Sequence, residues 1–338
     1  MFIEYDENGY LIFEKLLECR QPFIFLTGGR GTGKTYGAAQ YVITNGVRFL
    51  WMRRTQTETD IINKPEFHPF KPINADLGLS ITTSKISKGS AAFYDEDDPE
   101  QEPLGYTCAL STISSMRGFD ASDVKIMIYD EFIPERHKAA MRSESDALFN
   151  AYETVNRNRE LKGEDPVQLV AMANSNRLDN EIFLALGITD ICEKMKKEGS
   201  AEYVDTARGM AVFMLDASPI ADKKSKTALY KLTRGSSYAE MALDNTFTDL
   251  SEHVSTRRNL REYIPVATVG ALAVYRKKSG GLWYVTRTKS GVFKKEFADT
   301  DKEKLAFIRA YPLLWEAYLK RKIEFSDYTS EALFRRLY

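Results

Sequence analysis

Gly28-Gly29-Arg30-Gly31-Thr32-Gly33-Lys34-Thr35 matches the pattern G-x-x-x-x-G-K-[ST] in full and follows directly on the apolar run Pro22 to Leu26. A loop of this kind binds phosphate where a buried strand turns sharply into a helix, because its amides then point together at the helix N-terminus. Glycines at 28, 29, 31 and 33 allow backbone angles and close approach that a Cβ would block. Lys34 is expected to reach the β- and γ-phosphates of a nucleoside triphosphate such as ATP, and the Thr35 hydroxyl to ligate Mg²⁺.

Outward from this loop, Tyr36 to Asn45 reads as a helix closed by Gly46, and Arg48 to Met52 as a short strand ending in Arg53-Arg54. A second apolar strand, Lys125 to Tyr129, ends in Asp130-Glu131. A carboxylate in that place sits beside the phosphate loop and holds the Mg²⁺ shell, so Asp130 joins Thr35 as a metal candidate, while Glu131 polarises the attacking water. The pair points to hydrolysis. Between these strands, Tyr106 to Leu110 is the run expected to insert next to the phosphate-loop strand, as in the additional-strand branch of P-loop ATPases that includes translocases. Gln168 to Ala173 is a fourth strand and Val212 to Leu215 a fifth; Asn174, at the tip of the fourth, is the candidate sensor of the γ-phosphate.

Ser145 to Glu160 reads as a helix with Leu148, Phe149, Tyr152 and Val155 on one buried stripe. Arg157 and Arg159 near its end are two residues apart, about 200° around a helix, so they face different ways. An arginine supplied to a neighbour's γ-phosphate makes hydrolysis depend on assembly. Arg157 is the candidate, with Arg159 and Arg30 as alternates. Arg117, in the loop Ser114 to Gly118, is a candidate contact to a polymer, and the six carboxylates of Asp95 to Glu102 read as a solvated hairpin tip.

At 338 residues, two domains are expected. We place a P-loop ATPase domain at 1–195, a linker region at 196–232 and a smaller α+β domain at 233–338. The net charge of −1 conceals an asymmetry: from Arg257 to Lys295 there are ten Lys or Arg against Glu262 alone. Ala271 to Tyr275 and Leu282 to Val285 form a hairpin around Lys278-Ser279-Gly280-Gly281, making Arg276, Lys277, Lys278, Arg287 and Lys289 the candidate nucleic-acid contacts. Tyr263, Tyr275, Trp283, Tyr284 and Phe293 are either core or base-stacking platforms. Two-metal nuclease chemistry needs several carboxylates together, and none lies between Glu262 and Glu296; Glu240, Asp244 and Asp249 lie nearby in sequence only. Glu303 to Leu337 reads as helical.

Cys19, Cys108 and Cys192, with three histidines, give no zinc or disulfide spacing, and a reducing compartment fits. No run reaches the roughly 18 apolar residues of a membrane span, and the acidic N-terminus lacks the features of a signal peptide, so a soluble cytoplasmic protein is expected. These residues leave open a cellular or plasmid-type DNA translocase or helicase, a nucleotide-gated nucleic-acid-binding scaffold, and a P-loop kinase with a basic appendage.

The phosphate loop, Asp130-Glu131-Phe132, the stretch Thr154-Val155-Asn156-Arg157-Asn158-Arg159-Glu160 and the distant Tyr238-Ala239-Glu240-Met241-Ala242-Leu243-Asp244-Asn245 together resemble the DNA-packaging ATPases of small phi-29-like tailed phages. The resemblance implies an additional-strand ATPase domain joined to a degenerate RNase H-like nuclease domain. It also implies a five-membered ring on a phage portal or prohead acting on double-stranded DNA in the host cytoplasm, and attachment through a structural packaging RNA. By it, Lys34 and Thr35 bind nucleotide, Asp130 and Glu131 serve Mg²⁺ and water, and Arg157 acts across the subunit boundary. In one respect the chain departs from the family: Gln56 stands where a lysine follows the paired arginines, so Arg53 or Arg54 is the alternative for any role of that lysine.

Overall fold

The computed structural model describes the chain except for 99, 101, 117–120, 135–140, 175–176, 216–218 and 237–255, and describes the backbone alone at 114–116 and 222. Arg117, Glu240, Asp244, Asp249 and the 238–245 block therefore lie outside the described residues. The chain divides into two compact units, one formed by Met1–Arg177 with Met195–Phe247 and the other by Leu178–Lys194 with Thr248–Tyr338.

The first unit is built on a nine-stranded sheet. Its strands are β1 (Phe23–Gly28), β2 (Phe49–Arg53), β3 (Ile81–Ser87), β4 (Ser90–Asp95), β5 (Gly105–Ala109), β6 (Ile126–Asp130), β7 (Gln168–Ala173), β8 (Glu202–Asp205) and β9 (Met210–Leu215). Their order is β3-β4-β5-β2-β6-β7-β1-β9-β8. The six central strands pair in parallel, and antiparallel strands close both edges. Near-continuous apolar runs such as Ile126 to Tyr129 and Met210 to Leu215 are what a parallel sheet covered on both faces requires.

Two expectations are corrected here. The strand inserted between β1 and the Asp130 strand is β7, whereas Tyr106 to Leu110 falls largely in β5 and pairs with β2 on the far side. Both runs are apolar, and order in the sheet is fixed by the crossovers, which a strand's own composition does not encode. Within the stretch read as a linker, the expected fifth strand Val212 to Leu215 is the greater part of β9, and residues 202–211 supply the start of β9 and the whole of β8 in the same sheet.

The helices that position the site are α1 (Phe13–Leu17), α2 (Lys34–Thr44), α3 (Gln56–Ile62), α4 (Lys71–Leu77) and α5 (Glu144–Asn156). Thr55 and Glu58 form a complete capping box that starts α3 immediately after β2. α5 ends at Asn156, because Arg157 and Asn158 both take left-handed conformations; Arg159 lies in a separate 3₁₀ turn. Leu148 and Val155 are buried as expected, but Phe149 is exposed.

In the second unit, β10 (Tyr263–Val269), β11 (Leu272–Lys277) and β12 (Trp283–Thr286) form an antiparallel meander. β13 (Lys295–Phe297) joins β10 in parallel, and β14 (Ile323–Phe325) joins β12 in parallel. The period-two alternation of β11 sends Leu272 and Val274 to one core, with Phe307, Leu314 and Phe334, and Ala273 and Tyr275 to the other, with Tyr263 and Tyr284. The tyrosines are thus core, and the Tyr275 hydroxyl donates to the Thr288 carbonyl at 3.0 Å while accepting from the Ser290 amide at 2.8 Å. The C-terminal stretch is not continuous helix: β14 separates Leu313–Leu319 from Tyr328–Arg335, and Leu305 and Leu319 are exposed.

A core test lies where β5 passes β2. A Cβ on Gly105 would stand 2.6 Å from the Phe49 ring, which is wedged among Trp51, Phe70 and Phe93 at centroid separations of 6.4, 5.1 and 5.8 Å. Gly105→Ala should therefore destabilise the first unit by about 1–3 kcal/mol. A urea midpoint equal to that of the unmodified chain would contradict this packing.

Candidate active site

The C-terminal tips of β1, β2, β6 and β7 lie side by side, at the edge where open parallel sheets bind ligands. β1 leads into the phosphate loop. Gly28 packs so closely on β9 that a Cβ would come 2.7 Å from that of Leu215, and Gly33, at φ 91°, caps α2 in a left-handed conformation. The Lys34 ammonium is buried inside the loop and donates to the carbonyls of Gly28 (3.0 Å) and Gly29 (2.8 Å) and to Thr32 Oγ1 (3.1 Å). Burial lowers its pKa to about 8, against the opposing pull of Glu131 and Asp130.

Asp130 ends β6 and is 2% exposed. Arg53 Nη2 donates to its Oδ2 at 2.6 Å and Thr35 Oγ1 to its Oδ1 at 3.3 Å. Burial raises the Asp130 pKa, with Arg53 and Thr35 opposing. Burial also raises that of Glu131, reinforced by the neighbouring Asp130. Glu131 has φ 59°, and its carboxylate accepts from Asn174 Nδ2, at the tip of β7. Thr35 and Asp130 present hard oxygen donors in contact with one another, a set suited to Mg²⁺. Asp6, Tyr10, Gly31 to Gly37, Gln40, Asp76 and Asn174 line a cavity of about 600 Å³ over the loop.

The fold therefore brings together Lys34, Thr35, Asp130, Glu131 and Asn174. Arg30 is exposed on the loop and Arg157 is exposed at the end of α5. Arg159 is removed from the alternates, because it is 4% exposed and donates to the Ser122 carbonyl at 2.7 Å within its own chain. The proposal that Arg53 or Arg54 replaces the family's lysine is likewise corrected. Arg53 holds Asp130, and Arg54 is buried in a two-pronged contact with Glu144 at 2.7 and 3.0 Å. Gln56 bonds Asp60 in its own helix at 2.9 Å.

Several of these groups were missed by motif. Tyr129 donates to Glu144 at 2.8 Å, completing a buried Arg54–Glu144–Tyr129 cluster. Burial, then Glu144, pushes the Tyr129 phenol well above its ordinary range, so it remains a donor. The only sequence signal was an arginine doublet at a strand tip. Lys224, in a helix after β9, was signalled by nothing, yet it donates to the Arg30 carbonyl.

In the second unit, Arg276 and Lys278 are exposed, Lys277 is half-buried, and Arg276 lies 5.7 Å from the Trp283 ring centroid. Lys289 is exposed and donates to the Gly270 carbonyl at 3.1 Å. Arg287 is committed elsewhere: it grips Asp190 at 2.7 and 3.0 Å and lies 3.2 Å from Asp327, an internal tie of this unit. Among the described residues no cluster of His, Cys, Asp and Glu is arranged to hold a metal, and no helix is long and apolar enough to cross a membrane.

A parallel sheet with a phosphate loop, an inserted strand and paired acids at one edge defines a P-loop ATPase-like fold. The family model of the podovirus DNA encapsidation proteins (Gp16) matches residues 5–312, and the chain belongs to that family. It is 25% identical over 284 residues to the DNA packaging protein of Bacillus phage PZA, covering 82% of this chain and 76% of the relative. With that of Bacillus phage phi29 it shares 25% over 260 residues, covering 75% and 70%. The fold is similar to the Phi-28 gp11 DNA packaging motor, with TM-score 0.67, 18% identity and 97% and 96% of the two chains covered. It matches the motor in the bacteriophage Phi-29 viral genome packaging assembly equally, with TM-score 0.67, 20% identity and 96% and 98% covered.

Because the folded-state pKa of Lys34 lies below its unfolded value, the unfolded chain holds more protons between about pH 8 and 10.5. Stability without nucleotide should therefore rise with pH over that window as this penalty is lifted, and full destabilisation by Lys34 should be felt below it. Comparing the unmodified chain with Lys34→Met by denaturant unfolding from pH 8 to 10 should show a slope lost in the variant, on the order of 1 kcal/mol per pH unit. Parallel curves would contradict the buried cation.

Proposed function

We propose that this chain is the ATP hydrolase of a viral genome packaging motor, translocating double-stranded DNA into a preformed capsid and splitting ATP at the subunit interfaces of a homo-oligomeric ring. Packaging is the role of the family to which the chain belongs, and the relatives named above are DNA packaging proteins and motors. The observation that carries the hydrolytic reading is Glu131, set beside Asp130 at the edge where Lys34 and Thr35 lie and held by Asn174.

ATP would bind with its phosphates against the amides of Gly29 to Thr35, and Lys34 would leave its loop carbonyls for the β- and γ-phosphate oxygens. Thr35 and Asp130 would hold Mg²⁺, which when bound neutralises charge on those oxygens. Glu131 accepts a proton from the attacking water, and its burial, which favours the neutral acid, suits it to that exchange. Arg157, exposed in a left-handed turn past α5, is the guanidinium we assign to a neighbouring subunit's γ-phosphate, with Arg30 as alternate. A ring of five on a phage portal, with a packaging RNA, extends this reading by family resemblance.

We read the second unit as a degenerate RNase H-like module that contacts nucleic acid without cutting it. Asp190 and Asp327, two acids of that unit, are both paired with Arg287, and two-metal cleavage needs carboxylates free to hold metals. Arg276, Lys277, Lys278 and Lys289 remain the candidate phosphate contacts.

Glu131→Gln should keep ATP binding and lower turnover by about 10²- to 10⁴-fold; undiminished turnover removes Glu131 from this role. Arg157→Ala subunits mixed with Lys34→Ala subunits should regain hydrolysis that neither shows alone, and absence of rescue at every ratio counts against a shared site. Arg276→Ala and Lys278→Ala should each reduce the slope of log affinity for DNA against log salt by about 1, sequence-independently. Arg287→Ala, by contrast, should leave that slope unchanged, because its guanidinium is already committed to Asp190 and Asp327; a slope reduced as in those two variants would contradict that commitment.

A further inference from the structure

After β9 the first unit continues into two short helices, α8 (Ile220–Ser225) and α9 (Ala228–Leu232) in the numbering of the chain, where α6 (Glu181–Leu186) and α7 (Ile188–Glu198) precede them. α8 is pinned against the N-terminal segment and the phosphate loop. A Cβ on Gly9 would stand 2.9 Å from the Ile220 backbone nitrogen, and Lys223 donates to the Asn8 carbonyl at 2.8 Å. The next residue, Lys224, crosses the loop itself. Its ammonium donates to the Arg30 carbonyl, and its Nζ and Cε would lie 2.6 and 2.8 Å from a Cβ on Gly31. Gly31, at φ 72°, is suited to glycine by its backbone angle, and the end of the Lys224 side chain lies across it.

We propose that Lys224 is a second phosphate-binding cation of the nucleotide site, which exchanges the Arg30 carbonyl for an oxygen of the terminal phosphates when a triphosphate binds.

Three features support this. The ammonium sits on a loop whose neighbouring residue, Gly31, lines the cavity over the phosphate site. It is partly buried close to Arg30, whose charge acts on it, and it in turn acts on Lys34. Burial and Arg30 accordingly lower its pKa. The centroid of the Tyr230 ring lies 5.8 Å from the ammonium. An ammonium resting on a neutral loop carbonyl gains by exchanging it for a phosphate oxygen, since charge-assisted bonds to phosphate are roughly twice as strong as neutral ones. It lies on the same arrangement as Lys34, which also rests on loop carbonyls. Because it is carried by α8, it would register the terminal phosphates on a segment outside the loop and helix of the motif.

This inference rests on the ATP reading, and the test separates the two. Calorimetric titrations of ATP, ADP and AMP are made into the full chain and into Lys224→Met, Lys224→Arg and Lys34→Met. Lys224→Met retains the aliphatic stem and should weaken ATP about tenfold, the loss of roughly one charge-assisted bond, while AMP binding is unchanged. Lys224→Arg should restore ATP affinity. If Lys34→Met leaves ATP binding intact, the nucleotide site itself is misassigned. If Lys34→Met abolishes ATP binding while Lys224→Met binds ATP as the unmodified chain does, or loses ATP and AMP alike, Lys224 is a structural pin and the inference falls. Should Lys224→Met fail to fold, Lys224→Gln is read in the same way.

Discussion

The carboxylate of Asp130 is the group on which the site depends. A carboxylate buried this far costs several kcal/mol unless it is paired and hydrogen-bonded. Its partners come from different elements: Arg53 from the tip of the neighbouring strand β2, and Thr35 from α2, which follows a strand two places away. Satisfying one side chain therefore ties three elements at a single edge of the sheet. The tie extends further through Arg54. Successive residues of extended chain face opposite ways, so Arg53 meets Asp130 while Arg54 meets Glu144 at the first residue of α5. α5 in turn ends at Arg157. One strand tip thus fixes both Asp130 and the start of the helix that ends at Arg157.

Charge in the second unit follows a different logic. Its basic segment is not a uniform surface, since Arg258 is drawn into a pair with Glu324 and Arg287 into one with Asp190 and Asp327. Such exposed pairs contribute little stability each, but they decide which cations remain for a polyanion. Arg276, Lys278, Lys294 and Lys295 are left exposed on or beside the hairpin and β13. Most aromatics between these cations are spent on the core: Tyr263, Tyr275 and Tyr284 are nearly inaccessible, Phe293 is half-buried against Tyr275, and Trp283 is half-buried with Arg276 near its ring.

What could be read from the sequence was what is local. The phosphate loop, the Asp130-Glu131 turn and the hairpin around Gly280-Gly281 each carry their signal within ten residues, because backbone angle and side-chain chemistry are fixed at that range. The inserted strand was misassigned because β5 and β7 are equally apolar, and only the crossovers decide which lies beside β1. Arg159 was misjudged on the assumption that the helix runs on, whereas left-handed residues at Arg157 and Asn158 end it and turn Arg159 inward. The Arg54–Glu144 pair and Lys224's contact with Arg30 span 90 and 194 residues, and no spacing rule reaches that far.

The misassigned strand is also what sets the chemistry of Glu131. In register, Asp130 faces Met172, and the Phe132 amide then donates back to the Met172 carbonyl at 3.2 Å. The chain must turn over within one residue, and that residue is Glu131, held at positive φ at a cost of order 1–3 kcal/mol. Two residues past Met172 stands Asn174, whose amide takes up the carboxylate that the turn presents. Without β7 between β1 and β6 there would be neither the carbonyl that enforces the turn nor the amide that holds the acid. The same strand separates Asp130 from the phosphate loop by one strand width, so that Thr35 reaches it from above. Lys34, Asp130 and Glu131 are thus each satisfied by partners drawn from the edge that β7 completes.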